Sequence, residues 1–310
     1  MSSTSTTMVA GLAIEATRRA GSRSTRFGHV RGSVGTTAGG GTVYLKEERV
    51  SSLAEPGDEQ PRWHRVESGW ALRWIAAEFL VSADASFVEA RVLEGVPDDI
   101  VDHLIADHVV PRLLTLRGRT VFHGTAVSIE GQAVAFLGST GAGKSTLAVT
   151  CANAFGALLA DDCLVIEEHT DPMRVVPTSA LGRLRSDAAS IVGIGRPETC
   201  AGKTLIACEA ESRPVPLAAI VLLDRGATDD SISLTRVGPA RAMMGLGRHR
   251  FTFEDDAVAA SGVLAAQRCV VEAVPVWSLR YPTDLAALPA VHHVLLDLIR
   301  SDAANGICHA

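Results

Sequence analysis

Residues 138 to 145 read Gly138-Ser139-Thr140-Gly141-Ala142-Gly143-Lys144-Ser145. Glycines at these spacings, ending in Lys-Ser, suit one chemistry: holding a chain of phosphates. Consecutive backbone N–H groups of such a loop wrap the anion, and glycine gives the backbone conformations that a side chain forbids. Lys144 reaches the outer phosphates, and the Ser145 hydroxyl is a ligand for Mg²⁺. A helix beginning at Lys144 aims the positive end of its dipole at the same place. Gly138 through Ser145, with Thr146 beside them, form the candidate nucleotide-binding segment.

Three more residues flank the loop. His123 precedes it, in Thr120-Val121-Phe122-His123-Gly124, and Asp161-Asp162 follow it, after Leu158-Leu159-Ala160. Each lies at the end of a strand expected beside the loop-bearing strand, and such ends converge on the ligand. Phosphoryl transfer needs Mg²⁺ to neutralise developing charge and a group to orient and deprotonate the acceptor hydroxyl. One aspartate can serve the metal, and the other can accept the proton, an effect worth about 10²–10⁴ in rate. His123 can orient that base. Arg183, Arg185, Lys203, Arg248 and Arg250 are candidates to meet a phosphate or a carboxylate through charge-assisted bonds. Arg185 and Lys203 are favoured among them, although each also reads as a surface charge. His292-His293 is a poor chelating pair, since neighbours on a helix point about 100° apart. Trp63, Trp70 and Trp74 read as core residues.

The elements needed to position these groups are legible. Gln132–Leu137 is an apolar run after the Glu130-Gly131 turn, so it predicts a buried strand. Residues 144–155 are apolar at Leu147, Ala148, Cys151 and Phe155, one helix face, with Gly156 as the stop. Strands are expected at 120–129, 157–160, 163–168, 174–177, 204–209, 217–223, 231–235 and 270–280. Helices are expected at 238–247, 256–267 and 284–301. The tight turn before Gln132 makes the two strands ahead of the loop antiparallel neighbours. Upstream, 42–45, 76–81 and 87–93 read as strands. Residues 98–116 read as a helix with a kink at Pro111. This gives three parts: a disordered Ser/Thr/Gly-rich tail at 1–41, a β-rich N-terminal domain at 42–118, and a nucleotide-binding domain at 119–310.

The bulk properties exclude little and favour a globular chain. It has 310 residues, 47% hydrophobic and 21% charged, with a formal net charge of −6. That charge gives no electrostatic case for nucleic acid. No apolar run is long enough to span a membrane. The start of the chain lacks the basic and apolar regions of a signal peptide, and the six cysteines show no CxxC spacing. The expectation is a cytoplasmic protein with reduced thiols.

His123-Gly124, a hairpin, the glycine loop ending in Lys144-Ser145, a helix and Ala160-Asp161-Asp162, in that order, resemble the catalytic domain of the HPr kinase/phosphorylase family of bacterial serine kinases. The resemblance covers about residues 119 to 170 and extends loosely further. It implies an α/β fold: a P-loop, HPr-kinase/phosphoenolpyruvate-carboxykinase-like mixed-sheet catalytic domain with a smaller β-rich N-terminal domain. It implies ATP and Mg²⁺ held by Lys144 and Ser145. It also implies His123 and Asp161 as the dyad that activates an acceptor serine, with Asp162 nearby as a metal or water ligand. The family's Glu-x-Arg-Gly-Leu-Gly type of signature is absent. Residues 177–187 (PTSALGRLRSD) and 214–223 (PVPLAAIVLL) instead look like a divergent branch that includes the lasso peptide kinases, which phosphorylate the C-terminal serine of a precursor peptide. The expected partner is a peptide or small protein carrying a serine, not nucleic acid or membrane, with a homo-oligomer left open. Two alternatives remain at this point: a small-molecule kinase, and a nucleotide-gated binding module without transfer.

Overall fold

A computed structural model describes residues 2–10, 12–19, 42–55, 57–185, 198–200, 203–225, 231–251, 253 and 257–306. The chain divides into two compact units. One holds residues 1–119 and 251–260; the other holds residues 120–250 and 261–310. The fold is mixed α/β, with three sheets among the described residues.

The first unit is built on seven strands: β1 (Ser2–Val9), β2 (Leu12–Arg19), β3 (Thr42–Val50), β4 (Arg62–Val66), β5 (Gly69–Trp74), β6 (Ala77–Ser82) and β7 (Phe87–Leu93). Their order is β1-β2-β3-β7-β6-β5-β4, parallel at β2–β3 and β3–β7 and antiparallel elsewhere. Two of these strands lie where the sequence predicts a disordered tail. Val9, Leu12 and Ile14 are buried there, enough apolar surface to hold a strand on β3. Residues 20–41 lie outside the described residues. Residues 98–116 form α1 (Asp98–Leu104) and α2 (Val110–Leu116), joined by a π-helical turn at Ile105–Val109. Proline lacks the N–H an α-helix needs, so the irregularity falls just before Pro111. Trp70 is core as expected, stacked on Phe253 at 4.0 Å between ring centroids.

The second unit carries the loop. Its larger sheet contains β8 (Thr120–Phe122), β9 (Gly124–Ile129), β10 (Gln132–Leu137), β11 (Gly156–Ala160), β12 (Leu164–Glu167), β13 (Arg174–Val176), β17 (Val215–Arg225), β18 (Ser233–Arg236) and β19 (Val276–Tyr281). The small sheet has β14 (Leu181–Arg185), β15 (Glu198–Cys200) and β16 (Lys203–Ala207), in the order β14-β16-β15. The helices are α3 (Lys144–Phe155), α4 (Pro239–Gly247), α5 (Ala257–Ala273) and α6 (Leu288–Gly306). The expected strand at 270–280 is corrected: α5 runs to Ala273 and β19 starts at Val276. Cys269 to Val274 is apolar except for Glu272 and fits either period, and Val270 and Val274, four apart, settle it by packing as a helix face.

Strand β10 shows why its sequence is apolar without alternation. Ala133, Ala135 and Leu137 face one core, shared with α4 and α5 through Ala242, Leu246, Val270 and Val274. Val134 and Phe136 face another, shared with α3 and α6 through Leu147, Cys151, Val291 and Leu295. Both faces are covered, so both carry hydrophobic side chains. As expected, β9 and β10 are antiparallel through Glu130-Gly131, both at positive φ, the pair a tight hairpin requires.

The sequence predicts one strand over 120–129, but the structure breaks it at His123. Strand β8 pairs with β12, whereas β9 lies between β10 and β11. The neighbouring stretch, which pairs with both, breaks in the same place, between β11 and β12, at Asp161-Asp162-Cys163. Leu164 pairs with Phe122 and Ala160 with Ala126, one antiparallel register on both sides of the gap. The candidate residues therefore stand at a shared interruption in two long strands. Gly124 is needed there because a Cβ would meet Leu137 Cδ2 at 2.4 Å and the Phe136 carbonyl oxygen at 2.9 Å. Gly124→Ala should cost about 2 kcal/mol in urea unfolding, an overpacking cost. Gly262→Ala, on α5 with nothing within 4 Å, should instead stabilise by about 0.5–1 kcal/mol.

Candidate functional site

The glycine loop joins β10 to α3. Gly141 and Gly143 have φ of +83° and +92°, the left-handed region that a side chain resists. Ala142 N donates to Ser139 O at 3.1 Å, and Tyr281 Oη donates to Ala142 O at 3.0 Å. Tyr281 is buried at the end of β19, so the loop is tied to the sheet from the far end of the sequence. A Cβ on Gly138 would lie 3.0 Å from Ala142 Cβ and 3.3 Å from Leu223 Cβ, so the loop seats closely on the sheet. Lys144 donates to the Gly138 and Ser139 carbonyls at 2.9 and 3.3 Å. Burial pulls its pKa down, against the opposing charges of Asp162 and Asp161.

The carboxylates complete the arrangement. Ser145 Oγ donates to Asp161 Oδ1 at 2.8 Å, and the Arg183 backbone N–H donates to Asp161 Oδ2 at 2.7 Å. Arg183 also reaches Asp162 Oδ2 with its guanidinium, at 2.7 Å. Lys203 Nζ lies 4.0 Å from that same oxygen. His123 Nε2 lies 3.8 Å from the other, Asp162 Oδ1. The His123 backbone N–H donates to His249 O at 2.6 Å, which fixes the break between β8 and β9. Asp162 has φ +66°, a left-handed conformation that Asp tolerates better than most residues.

Electrostatics separate the two aspartates. Burial and the neighbouring Asp162 charge push the Asp161 carboxyl up to about 6, against Arg183 and the Ser145 hydrogen bond. For Asp162, burial also acts upwards, but Arg183, His123, Lys203 and Lys144 together win and hold it below the usual range. Burial, Lys144, His123 and Arg248 push the His249 imidazole down to about 4.

The structure thus gathers Lys144, Ser145, Asp161, Asp162, His123 and Lys203. His123 stands beside Asp162, and Asp161 faces Ser145. The expectation favoured Arg185, yet Arg183 makes both carboxylate contacts and Arg185 is exposed. Alternation along β14 turns Leu184 towards Val149 of α3 and places Arg183 and Arg185 on the other face. Register pairs Arg185 with Lys203 on that face. Arg250 lies over the Phe122 ring, 5.1 Å from its centroid. His292 bonds Thr150 and is structural. No sequence signal marks Tyr281, which meets Ala142 only through the fold.

The donor set fits a nucleotide with Mg²⁺. A hydroxyl and two carboxylates are hard oxygen ligands. Among the described residues no group of three or more His, Cys, Asp or Glu could hold a metal by itself. Mg²⁺ is commonly held by one or two carboxylates together with substrate phosphates, so the arrangement is compatible with it. A cavity of about 580 Å³ lies at the opposite end of α3, lined by Phe155, Cys208 and Glu209 among others, and holds none of these residues. Among the described residues no helix is long and apolar enough to cross a membrane.

No family model and no curated protein matches the sequence. Among solved structures, the chain is similar to the Hpr(Ser) kinase/phosphatase from Coxiella burnetii. The identity is 11% and the TM-score 0.31, covering 60% of this chain and 97% of that one. So low a score leaves function to be read from this chain's own residues.

The raised Asp161 pKa has a consequence for stability. Its folded value, about 6, lies above the roughly 3.9 of a free Asp carboxyl, so the native state holds this proton more tightly than the unfolded chain. Asp161 therefore lowers stability as pH rises from about 4 to about 6, and its effect is level above that. Asp161→Asn cannot ionise. In urea unfolding, its stability relative to wild type should rise across this window and then stay constant. A difference that is flat from pH 4 to 7 would contradict the raised value.

Proposed function

We propose that the chain is an ATP- and Mg²⁺-dependent kinase that transfers the γ-phosphoryl group to a serine hydroxyl of a peptide or small protein. The acceptor we propose is the C-terminal serine of a lasso-type precursor peptide. The observation that carries the reading is the Ser145–Asp161 hydrogen bond beside a second, separately partnered carboxylate, Asp162, at the end of a phosphate-type loop. A loop that only gated a conformational change would have no use for a buried carboxylate with an imidazole beside it. The amides of residues 138–146 and Lys144 would hold the triphosphate. Ser145 and the aspartate pair would serve the metal and the acceptor proton, and Lys203 supports the phosphate side. Bound Mg²⁺ supplies charge neutralisation at the transferring phosphoryl group. The protein's part is to position and to exclude alternatives: Arg183 fixes both carboxylates, and Tyr281 fixes the loop. The proposed domain roles are catalysis for 119–310 and substrate recognition for 42–118.

The test uses purified protein, Mg²⁺-ATP and a serine-terminated precursor peptide, read by intact-peptide mass spectrometry. Wild type should add a phosphoryl-sized mass, and Lys144→Met should slow that transfer by about 10²–10³-fold. Transfer undiminished in Lys144→Met contradicts the reading. So does ATP binding without transfer to any peptide or small-molecule hydroxyl, the result expected of a nucleotide-gated module.

A further inference from the structure

After α4 the chain runs Arg248-His249-Arg250, and Arg250 is a cation that no anion answers among the described residues. Its guanidinium lies over the Phe122 ring, 5.1 Å from the centroid. Its Nε and Nη1 are shut off from solvent and have no hydrogen-bond partner; Nη2, on the same edge of the group as Nε, is not shut off. Burial pulls its pKa down to about 10, against the opposing charge of Glu168. Glu168 forms no ion pair with it and lies instead 3.8 Å from His169 Nε2. A half-buried charge without a partner costs stability, and an anion arriving from outside would remove that cost. The planar fork of a guanidinium matches a carboxylate.

The backbone fixes where this cation stands. Arg250 and Phe122 form an antiparallel bridge, and the His123 N–H donates to His249 O at 2.6 Å. On the other side, the His249 N–H donates at 3.0 Å to the carbonyl of Leu246, which is buried in the core under α4. The three residues are thus fastened to the end of β8. Lys144, His123 and Arg248 all bear on His249 between them, so the surroundings are positive. The outer phosphates of a nucleotide have their own receptors in Lys144 and the loop amides. A serine at the end of a peptide carries its hydroxyl and its carboxylate on the same Cα. A receptor for the carboxylate therefore has to stand next to the groups that meet the hydroxyl. Phe122, under the guanidinium, and His123, beside Asp162, are consecutive residues.

We propose that Arg250 binds the α-carboxylate of the acceptor's last residue and so directs transfer to a serine at the C-terminus. This rests on the kinase reading above. A carboxylate that reaches Nη2 has Nε as a second donor on the same edge. Phe122 supports the flat face of the guanidinium, and the His123–His249 bond keeps the loop where a terminal serine presents both of its groups. Arg250 takes no part in bond making or breaking; it sets which hydroxyl is held in place.

The test is a cycle of proteins and acceptors. Wild type, Arg250→Gln and Arg250→Lys are each given a serine-terminated peptide as the free acid and as the C-terminal amide, at saturating Mg²⁺-ATP. Wild type should favour the acid by about 10–100-fold in kcat/KM, the worth of a charge-assisted hydrogen bond. Arg250→Gln should lose most of its activity on the acid and little of its activity on the amide, so that it no longer distinguishes them. Arg250→Lys keeps the charge without the fork, and should show a smaller preference of the same sign. Equal turnover of acid and amide by wild type overturns the proposal and leaves the kinase reading standing. So does a parallel loss on both acceptors in Arg250→Gln, the result of a guanidinium that only packs on Phe122. If Arg250→Gln does not fold, a full wild-type preference in Arg250→Lys overturns the proposal instead. A wild type that transfers to neither acceptor overturns the kinase reading, and the proposal with it.

Discussion

Two aspartates in succession, each under a tenth exposed, bring two negative charges to a place where water screens them poorly. Arg183 lets them remain. Its backbone N–H holds Asp161 and its guanidinium holds Asp162, so a single residue fixes the spacing and direction of both groups. Its side chain is itself only 12% exposed, which keeps the interaction strong and makes an unpaired partner costly. Lys203 and Lys144 add positive charge on the same side. The result is two carboxylates with different proton affinities a single peptide bond apart, the condition for dividing metal and proton work between them.

Topology brings these groups together from four stretches of chain. The loop leaves β10 in the centre of the larger sheet, where both faces are buried and the backbone is held rigidly. The aspartates and His123 occupy the shared break in the β8–β9 and β11–β12 strands, where ladder pairing is given up and side chains are free to turn inward. Strand β14, from the small sheet, lays Arg183 across that break while Leu184 packs on Val149 of α3. The helix that presents Ser145 therefore also carries the strand that presents Arg183. A shift of α3 would move the hydroxyl and the cation together. This coupling follows from packing alone and requires no contact with a ligand.

What was legible in the sequence was what is local. The glycine loop, its strand and its helix are contiguous, and the hairpin before them is set by Glu130-Gly131. His123 and the aspartate pair stood out because they flank that segment. The partners of these residues were not legible, since partnering depends on direction. Nothing in Ala160-Asp161-Asp162 announces a left-handed φ at Asp162, and without it the two carboxylates would be assigned by order. Arg183 and Arg185 are equivalent in a bare sequence, and only the register of β14 against β16 and the reach to Asp162 separate them. Tyr281 meets the loop through a parallel pairing of β17 and β19 that no local pattern encodes. In the first unit, β4 and β5 carry no clear strand signal, because Arg62 to Trp74 mixes charge and tryptophan without a clean period of two.

The central claim is that the loop from Gly138 to Ser145 receives the phosphates, with the two aspartates on separate sides of them. A crystal structure with Mg²⁺ and a non-hydrolysable ATP analogue measures this directly. The account predicts that Lys144 leaves the Gly138 and Ser139 carbonyls for the β- and γ-phosphates. Ser145 and the aspartate pair would hold Mg²⁺ there, which would neutralise charge on the phosphates. Asp162 should stay on Arg183 and face the open side beyond the γ-phosphate. An analogue bound elsewhere, with Lys144 still on those two carbonyls, would contradict it.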